Sequence, residues 1–100
     1  MSSVPNVQPA AVEGLTKSAA LEAAAYGVRV NAVAPGPIET AMLDRFTGVA
    51  DRKAGLVAGV PLKRAGRPEE IADAIVFAAS PKASFITGQI IAVNGGKTAA

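Results

Sequence analysis

No cysteine and no histidine occur in this 100-residue chain. Without cysteine there is no disulfide framework and no thiolate metal site. Without histidine the commonest general base and metal ligand is missing, so no metal site is expected. Tryptophan is absent as well, and the aromatic residues are three Phe and one Tyr. No apolar run approaches the ~20 residues that span a bilayer. The opening MSSVPNVQP has neither the basic nor the apolar region of a signal peptide. The expectation is a soluble, cytoplasmic protein with no membrane partner. Charge of one sign is also lacking: ten basic and eight acidic residues leave a net +2. The one basic cluster, Lys63, Arg64 and Arg67, has no interleaved aromatics and no basic stripe around it. It reads as a solvated loop rather than a phosphate or nucleic-acid patch. Bulky side chains are scarce too. Half the residues are apolar, but 22 of them are Ala. At ~25 cal/mol per Å² of buried apolar surface, such small groups contribute little each. One domain is expected, either marginal alone or stabilised as a homo-oligomer.

What is present falls into ordered pieces. Residues 1–9, with two Pro, two Ser, Asn and Gln, read as a flexible lead-in. Residues 10–25 are Ala-rich with good helix propensity. Val12, Leu15 and Ala19 share one face, Glu13 and Lys17 form an i,i+4 pair, and Gly27 is available for a left-handed cap. Residues 28–34 are short, β-branched and almost wholly apolar, which predicts a strand buried on both faces of an α/β sheet. Asn31 inside it reads as a satisfied buried amide. Pro35-Gly36-Pro37 ends the strand. Residues 41–60 predict one or two short helices in an excursion. Pro68 at a helix N1 position, followed by Glu69 and Glu70, predicts a helix with Ile71, Ala74, Ile75 and Ala78 on its buried face. Ser80-Pro81 stops it, and Thr87-Gly88 is a turn. Residues 89–93 are a second apolar strand, closed by Asn94-Gly95-Gly96. Two parallel strands joined through a helix make one crossover unit.

Three stretches carry a family resemblance. AAVEGLTKSAALEAAAYGVRVNAVAPGPIETAM, PLKRAGRPEEIADAIVFAAS and SFITGQIIAVNGG, in this order and spacing, resemble the C-terminal portion of the short-chain dehydrogenase/reductases over residues 10–96. The resemblance implies an α/β fold: the C-terminal part of a Rossmann-like doubly wound parallel sheet, helix-strand-helices-strand, incomplete, with residues 97–100 as a tail. It implies NAD or NADP as cofactor. In open α/β sheets ligands sit beyond the carboxyl ends of strands, where Pro35 to Thr40 falls. By the resemblance Pro35, Gly36, Ile38 and Thr40 are the candidate cofactor-binding residues. Ile38 would offer backbone N–H and C=O groups to the nicotinamide carboxamide. Thr40 would offer its hydroxyl to the carboxamide or the pyrophosphate. Local readings stand beside these: Pro35-Gly36 as a plain loop punctuator, Thr40 as a helix N-cap. Residues 41–60 match the family's substrate loop in position.

The remaining family machinery has no counterpart in these residues. No glycine-rich phosphate turn follows a strand. The resemblance places the family's catalytic Tyr on Pro5 and its Lys on Pro9, and neither side chain transfers a proton. Tyr26 reads as a packing and capping residue. No catalytic residue is therefore assigned. The expected function is that of an NAD(P)-dependent short-chain oxidoreductase by resemblance, inactive as the isolated chain. The alternatives are a non-catalytic oligomerising module and one half of a split dehydrogenase completed by an N-terminal half.

Overall fold

The computed structural model describes residues 9–39 and 50–99. Among these residues five main elements follow one another: α1 (Pro9–Ala24), β1 (Ala32–Pro35), α2 (Ala50–Ala58), α3 (Pro68–Ala79) and β2 (Ile90–Val93). A 3₁₀ turn at Pro81–Ala83 follows α3. The strands pair in parallel, Ala32 opposite Ile90 through Pro35 opposite Val93. Helix α3 packs on both strands. The crossover unit expected from the sequence is therefore present.

Helix α1 opens on Pro9, where a missing N–H costs nothing because first-turn donors have no helical partner. Thr16 is buried and turns its hydroxyl back to the Val12 carbonyl at 2.8 Å. The Glu13–Lys17 pair sits at 3.5 Å on an exposed surface, where such pairs contribute about 0.3–0.5 kcal/mol at most. The helix ends in a Schellman arrangement. Gly27 adopts φ +70°, its N–H reaches the Ala24 carbonyl, and the Val28 N–H reaches Ala23. Tyr26, expected to pack, is instead 82% exposed.

The first strand starts later than its apolar run. Residues 28–31 lie outside the ladder, although the sequence predicts a strand from 28. The cause is the facing turn. Gly88 at φ +74° interrupts the facing segment, so a single backbone bond, from the Gly88 N–H to the Val30 carbonyl at 2.7 Å, is supplemented by side chains there. The Val30 N–H donates to the Thr87 hydroxyl at 3.0 Å. Asn31 donates to the Ile86 carbonyl and accepts the Gln89 N–H, both at 3.0 Å. Asn31 is thus satisfied, as expected, but only half-buried. The strand itself is also half-buried rather than enclosed on both faces, and Pro35 is exposed.

Arg29 holds the region behind these strands. Its guanidinium donates to the carbonyls of Ala78 at 2.7 Å, Ser80 at 3.1 Å and Ile86 at 3.1 Å. The first two are end groups of α3, where a cation meets the negative end of the helix dipole. Ser80 completes the stop, its hydroxyl donating to Phe77 and accepting from the Lys82 N–H.

The core is small. Ala20, Val60, Ala78 and Ala83 are the buried apolar residues among those described, and only Val60 has bulk. Ile75, expected on the buried face of α3, is half exposed.

At the start of α3, Glu70 accepts the Arg67 N–H at 2.8 Å. Arg67 has no acceptor to return the bond, so this is one half of a capping box. Arg64 adds a two-pronged ion pair to the same carboxylate, at 2.7 and 2.9 Å. The Arg64 hydrogen bonds, then the Arg67 N–H, pull the Glu70 carboxyl from 4.5 down to about 2.

Two outcomes follow. First, a lowered folded-state value means that the contribution of Glu70 to stability is complete above pH 4.5 and is lost as pH falls toward 2. Carbon-detected titration of the Glu70 carboxyl should give a midpoint near 2, and Arg64→Ala should return it toward 4.5. A wild-type midpoint at the ordinary value would refute the pair. Second, a Cβ on Gly36 would lie 2.8 Å from the Asn94 Cβ and 2.9 Å from its Cα. Gly36→Ala should therefore lower urea-unfolding stability by about 1–3 kcal/mol, the usual cost of overpacking. An unchanged midpoint would show that the strand ends part freely.

Candidate cofactor-facing turn

Beyond Pro35 the chain leaves the sheet without leaving its neighbour. The Gly36 N–H extends the ladder by donating to the Val93 carbonyl at 3.0 Å. The closeness of Asn94 explains why this position carries no side chain. The chain then meets the segment that enters α3. Residues 60–66 form a strap across the carboxyl ends of both strands. On one side, the Leu62 N–H donates to the Gly95 carbonyl at 3.1 Å. On the other, Gly66 forms a parallel bridge with Ile38.

That bridge decides what Ile38 presents. The Gly66 N–H donates to the Pro37 carbonyl at 2.9 Å, and the Glu39 N–H donates to the Gly66 carbonyl at 2.7 Å. In a parallel bridge the residue between those two groups directs its own N–H and C=O to the opposite edge. Ile38 therefore shows one donor and one acceptor, side by side, on the edge away from Gly66. Its side chain lies against Gly66, where a Cβ would come within 3.1 Å of Ile38 Cδ1.

A cleft of about 450 Å³ opens on the Gly66 side. Its walls include Ile38, Leu62, Gly66, Ile71 and the Asn94-Gly95-Gly96 turn. Gly95 and Gly96 adopt φ +65° and +95°, the positive values of the central residues of a type I′ turn. A Cβ at Gly95 would meet Val60 Cγ1 at 2.6 Å, so the turn is packed tightly under the strap.

Of the candidate residues, Pro35, Gly36 and Ile38 follow one another at the carboxyl end of β1. Thr40 lies outside the described residues, as do residues 41–49 of the expected substrate loop and Pro5. Sequence reasoning missed Gly66, Arg64 and Glu70. The basic cluster reads from sequence as a solvated loop, yet Arg64 is joined to Glu70 and Arg67 lies near Glu69 and Glu70. The available signal was Glu70 itself, three residues after the helix cap, where an acidic side chain folds back on the backbone. Among the described residues no group of acidic side chains could hold a metal ion, and no helix is long and apolar enough to cross a membrane.

Comparison with known proteins agrees with this geometry. The family model described as enoyl-(acyl carrier protein) reductase matches residues 2–98. The 3-oxoacyl-[acyl-carrier-protein] reductase of Vibrio harveyi is 52% identical over 87 residues, which are 87% of this chain and 35% of that protein. A solved structure of a short chain dehydrogenase/reductase family protein is 47% identical with a TM-score of 0.80, covering 91% of this chain and 36% of the other. A 4-hydroxyisoleucine dehydrogenase mutant complexed with NADH and succinate is 32% identical with a TM-score of 0.82, covering 90% and 37%. The chain thus spans about a third of the length of the relatives it matches. Parallel strands, a crossover helix and a turn beyond the first strand place it in one group: it belongs to the short-chain dehydrogenase/reductase family and carries part of that family's Rossmann-type α/β fold.

Proposed function

We propose that this chain supplies the nicotinamide-facing turn of an NAD(P)-dependent oxidoreductase and does not itself perform the proton transfer. The observation that carries this reading is the peptide edge of Ile38 turned away from Gly66, which has no partner among the described residues. A primary carboxamide offers one acceptor oxygen and an NH₂ donor, and an adjacent backbone N–H and C=O match both. When bound, the nicotinamide cofactor supplies the hydride chemistry. The residues here hold and orient. Gly36 lets the backbone turn close to Asn94, Pro35 and Pro37 stiffen the approach, and Ile38 provides the recognition edge. Thr40 would add a hydroxyl to the carboxamide or pyrophosphate. That the 4-hydroxyisoleucine dehydrogenase structure contains NADH supports the cofactor class. Its substrate differs in kind from the acyl group of the Vibrio harveyi reductase, so relatedness leaves the substrate open. With Pro at positions 5 and 9 and Tyr26 exposed at a helix end, no Tyr–Lys pair in these residues can shuttle a proton.

A specific observation also favours association. Leu15, Leu21, Val76 and Phe85 are all largely exposed, Phe85 completely. In the two-stranded sheet each strand has one edge without a partner among the described residues. Such faces and edges are association sites. We therefore propose a homo-oligomer or a complex with a complementary chain bearing the dinucleotide-binding half, rather than a solitary monomer.

The test is calorimetric titration of the purified chain with NADH and NADPH, beside an assay for turnover. Saturable binding without turnover is expected. Ile38→Pro removes the recognition N–H, a group that neither bond to Gly66 uses, so it should weaken binding by about tenfold, one hydrogen bond of about 1 kcal/mol or more. Ile38→Val should bind like the wild type. No heat at millimolar cofactor, or turnover by the chain alone, would overturn the reading. Sedimentation should show a species larger than a monomer; a stable monomer would refute the association.

A further inference from the structure

Two tiers of hydrogen bonds lie behind the Ile38 edge. In the inner tier, Gly66 grips the residues on both sides of Ile38, Pro37 by its carbonyl and Glu39 by its N–H. In the outer tier, a single carboxylate grips the residues on both sides of Gly66. Glu70 takes the Arg67 N–H directly, at 2.8 Å. It takes Ala65 indirectly: Arg64 donates to both Glu70 oxygens and to the Ala65 carbonyl, the last at 3.2 Å. The Glu70 side chain also borders Gly66, with Oε1 3.8 Å from where a Cβ would stand.

We propose that Glu70, with Arg64, is a positioning residue for the Ile38 peptide edge, acting through Gly66. The proposal rests on the reading that this edge meets the nicotinamide carboxamide. Glu70 touches neither the edge nor a reacting atom, so its effect is geometric. Residues 65–67 form a loop without a ladder of their own, and the Ile38–Gly66 bridge is isolated. An isolated bridge has no neighbouring bonds to fix its register. What holds Gly66 in place must come from its flanks, and both flanks lead to one carboxylate. A rigid donor–acceptor edge binds better than a loose one because less ordering remains to be done on binding. The carboxylate is carried by the first turn of α3, a helix that packs on both strands.

The experiment compares wild type, Glu70→Gln and Glu70→Ala by amide hydrogen exchange and by NADH titration. The informative amides are Gly66 and Glu39, which form the bridge, and Ala32 and Gly36, which belong to the sheet. In Glu70→Ala, Gly66 and Glu39 should exchange about tenfold faster, the loss expected for a charge-assisted hydrogen bond. Ala32 and Gly36 should stay unchanged. Glu70→Gln keeps an oxygen for the Arg67 N–H and loses the ionic fork, so it should fall between the two. NADH affinity should decline in the same order. Equal acceleration at all four amides would mean that Glu70 supports only general stability, and no change at Gly66 and Glu39 would mean that it supports nothing there; either overturns the proposal. If Glu70→Ala does not fold, the same four amides in Glu70→Gln decide. If the wild type binds no NADH, the carboxamide reading fails while the exchange pattern still tests the positioning.

Discussion

The approach of Gly36 to Asn94 sets the layout of this molecule. Two parallel strands twist apart as they run, and side chains at their ends usually hold them apart as well. Here the carboxyl ends stay so close that a single added carbon at Gly36 would fall within 2.9 Å of the Asn94 backbone. The ladder therefore runs one residue past β1, to the Gly36 N–H. Both exits leave the sheet together. That allows the short strap of residues 60–66 to reach the Asn94-Gly95-Gly96 turn with one end and Ile38 with the other. A wider separation of the strands would break one of those attachments, and the Ile38 edge would lose its backing.

The charged residues serve the same economy of construction. Among the described residues, a core of three alanines and one valine offers little apolar area to hold loops down. Arginine forks do part of that work. Arg29 gathers three carbonyls from the end of α3 and the loop before β2. Arg64 joins a loop carbonyl to the Glu70 carboxylate. Each fork crosses between segments that share no regular ladder. Hydrogen bonds from a guanidinium to carbonyls or carboxylate are individually modest at a half-exposed site. They are directional, however, and direction is what a loop without secondary structure needs.

The sequence shows the elements more clearly than their edges. The Ala-rich run, Gly27, Pro68 and the apolar 89–93 each have a local physical signature, and α1, its Schellman cap, α3 and β2 lie where those signatures put them. The start of β1 was not legible, because it depends on a turn almost sixty residues away. Val28 and Val30 are as strand-like as Val33, yet Gly88 at φ +74° denies them a regular partner. The partial exposure of Ile75 and Tyr26 was likewise hidden, since periodicity reports which face is apolar and not whether anything covers it. For the site, Pro35, Gly36 and Ile38 could be picked out as a turn beyond a strand. The role of Gly66 could not, because a bridge between residues 38 and 66 leaves no pattern in either segment. Arg64 and Glu70 looked like ordinary surface charges for the same reason.

Recognition through the backbone and proton transfer through side chains place different demands on a sequence. The Ile38 edge needs only a peptide unit held in one orientation, and any residue other than proline provides that unit. On the reading proposed here its requirements are distributed: a glycine at 36, a glycine at 66, a carboxylate at 70. Proton transfer has the opposite character. It depends on particular functional groups with suitable acidity at particular points, and a substitution at such a point removes the group. Proline at position 9 is fully compatible with the first turn of α1, so the helix forms without a lysine at that position. On the reading proposed here, a protein can lose the chemistry at residues 5 and 9 and keep the geometry at residue 38.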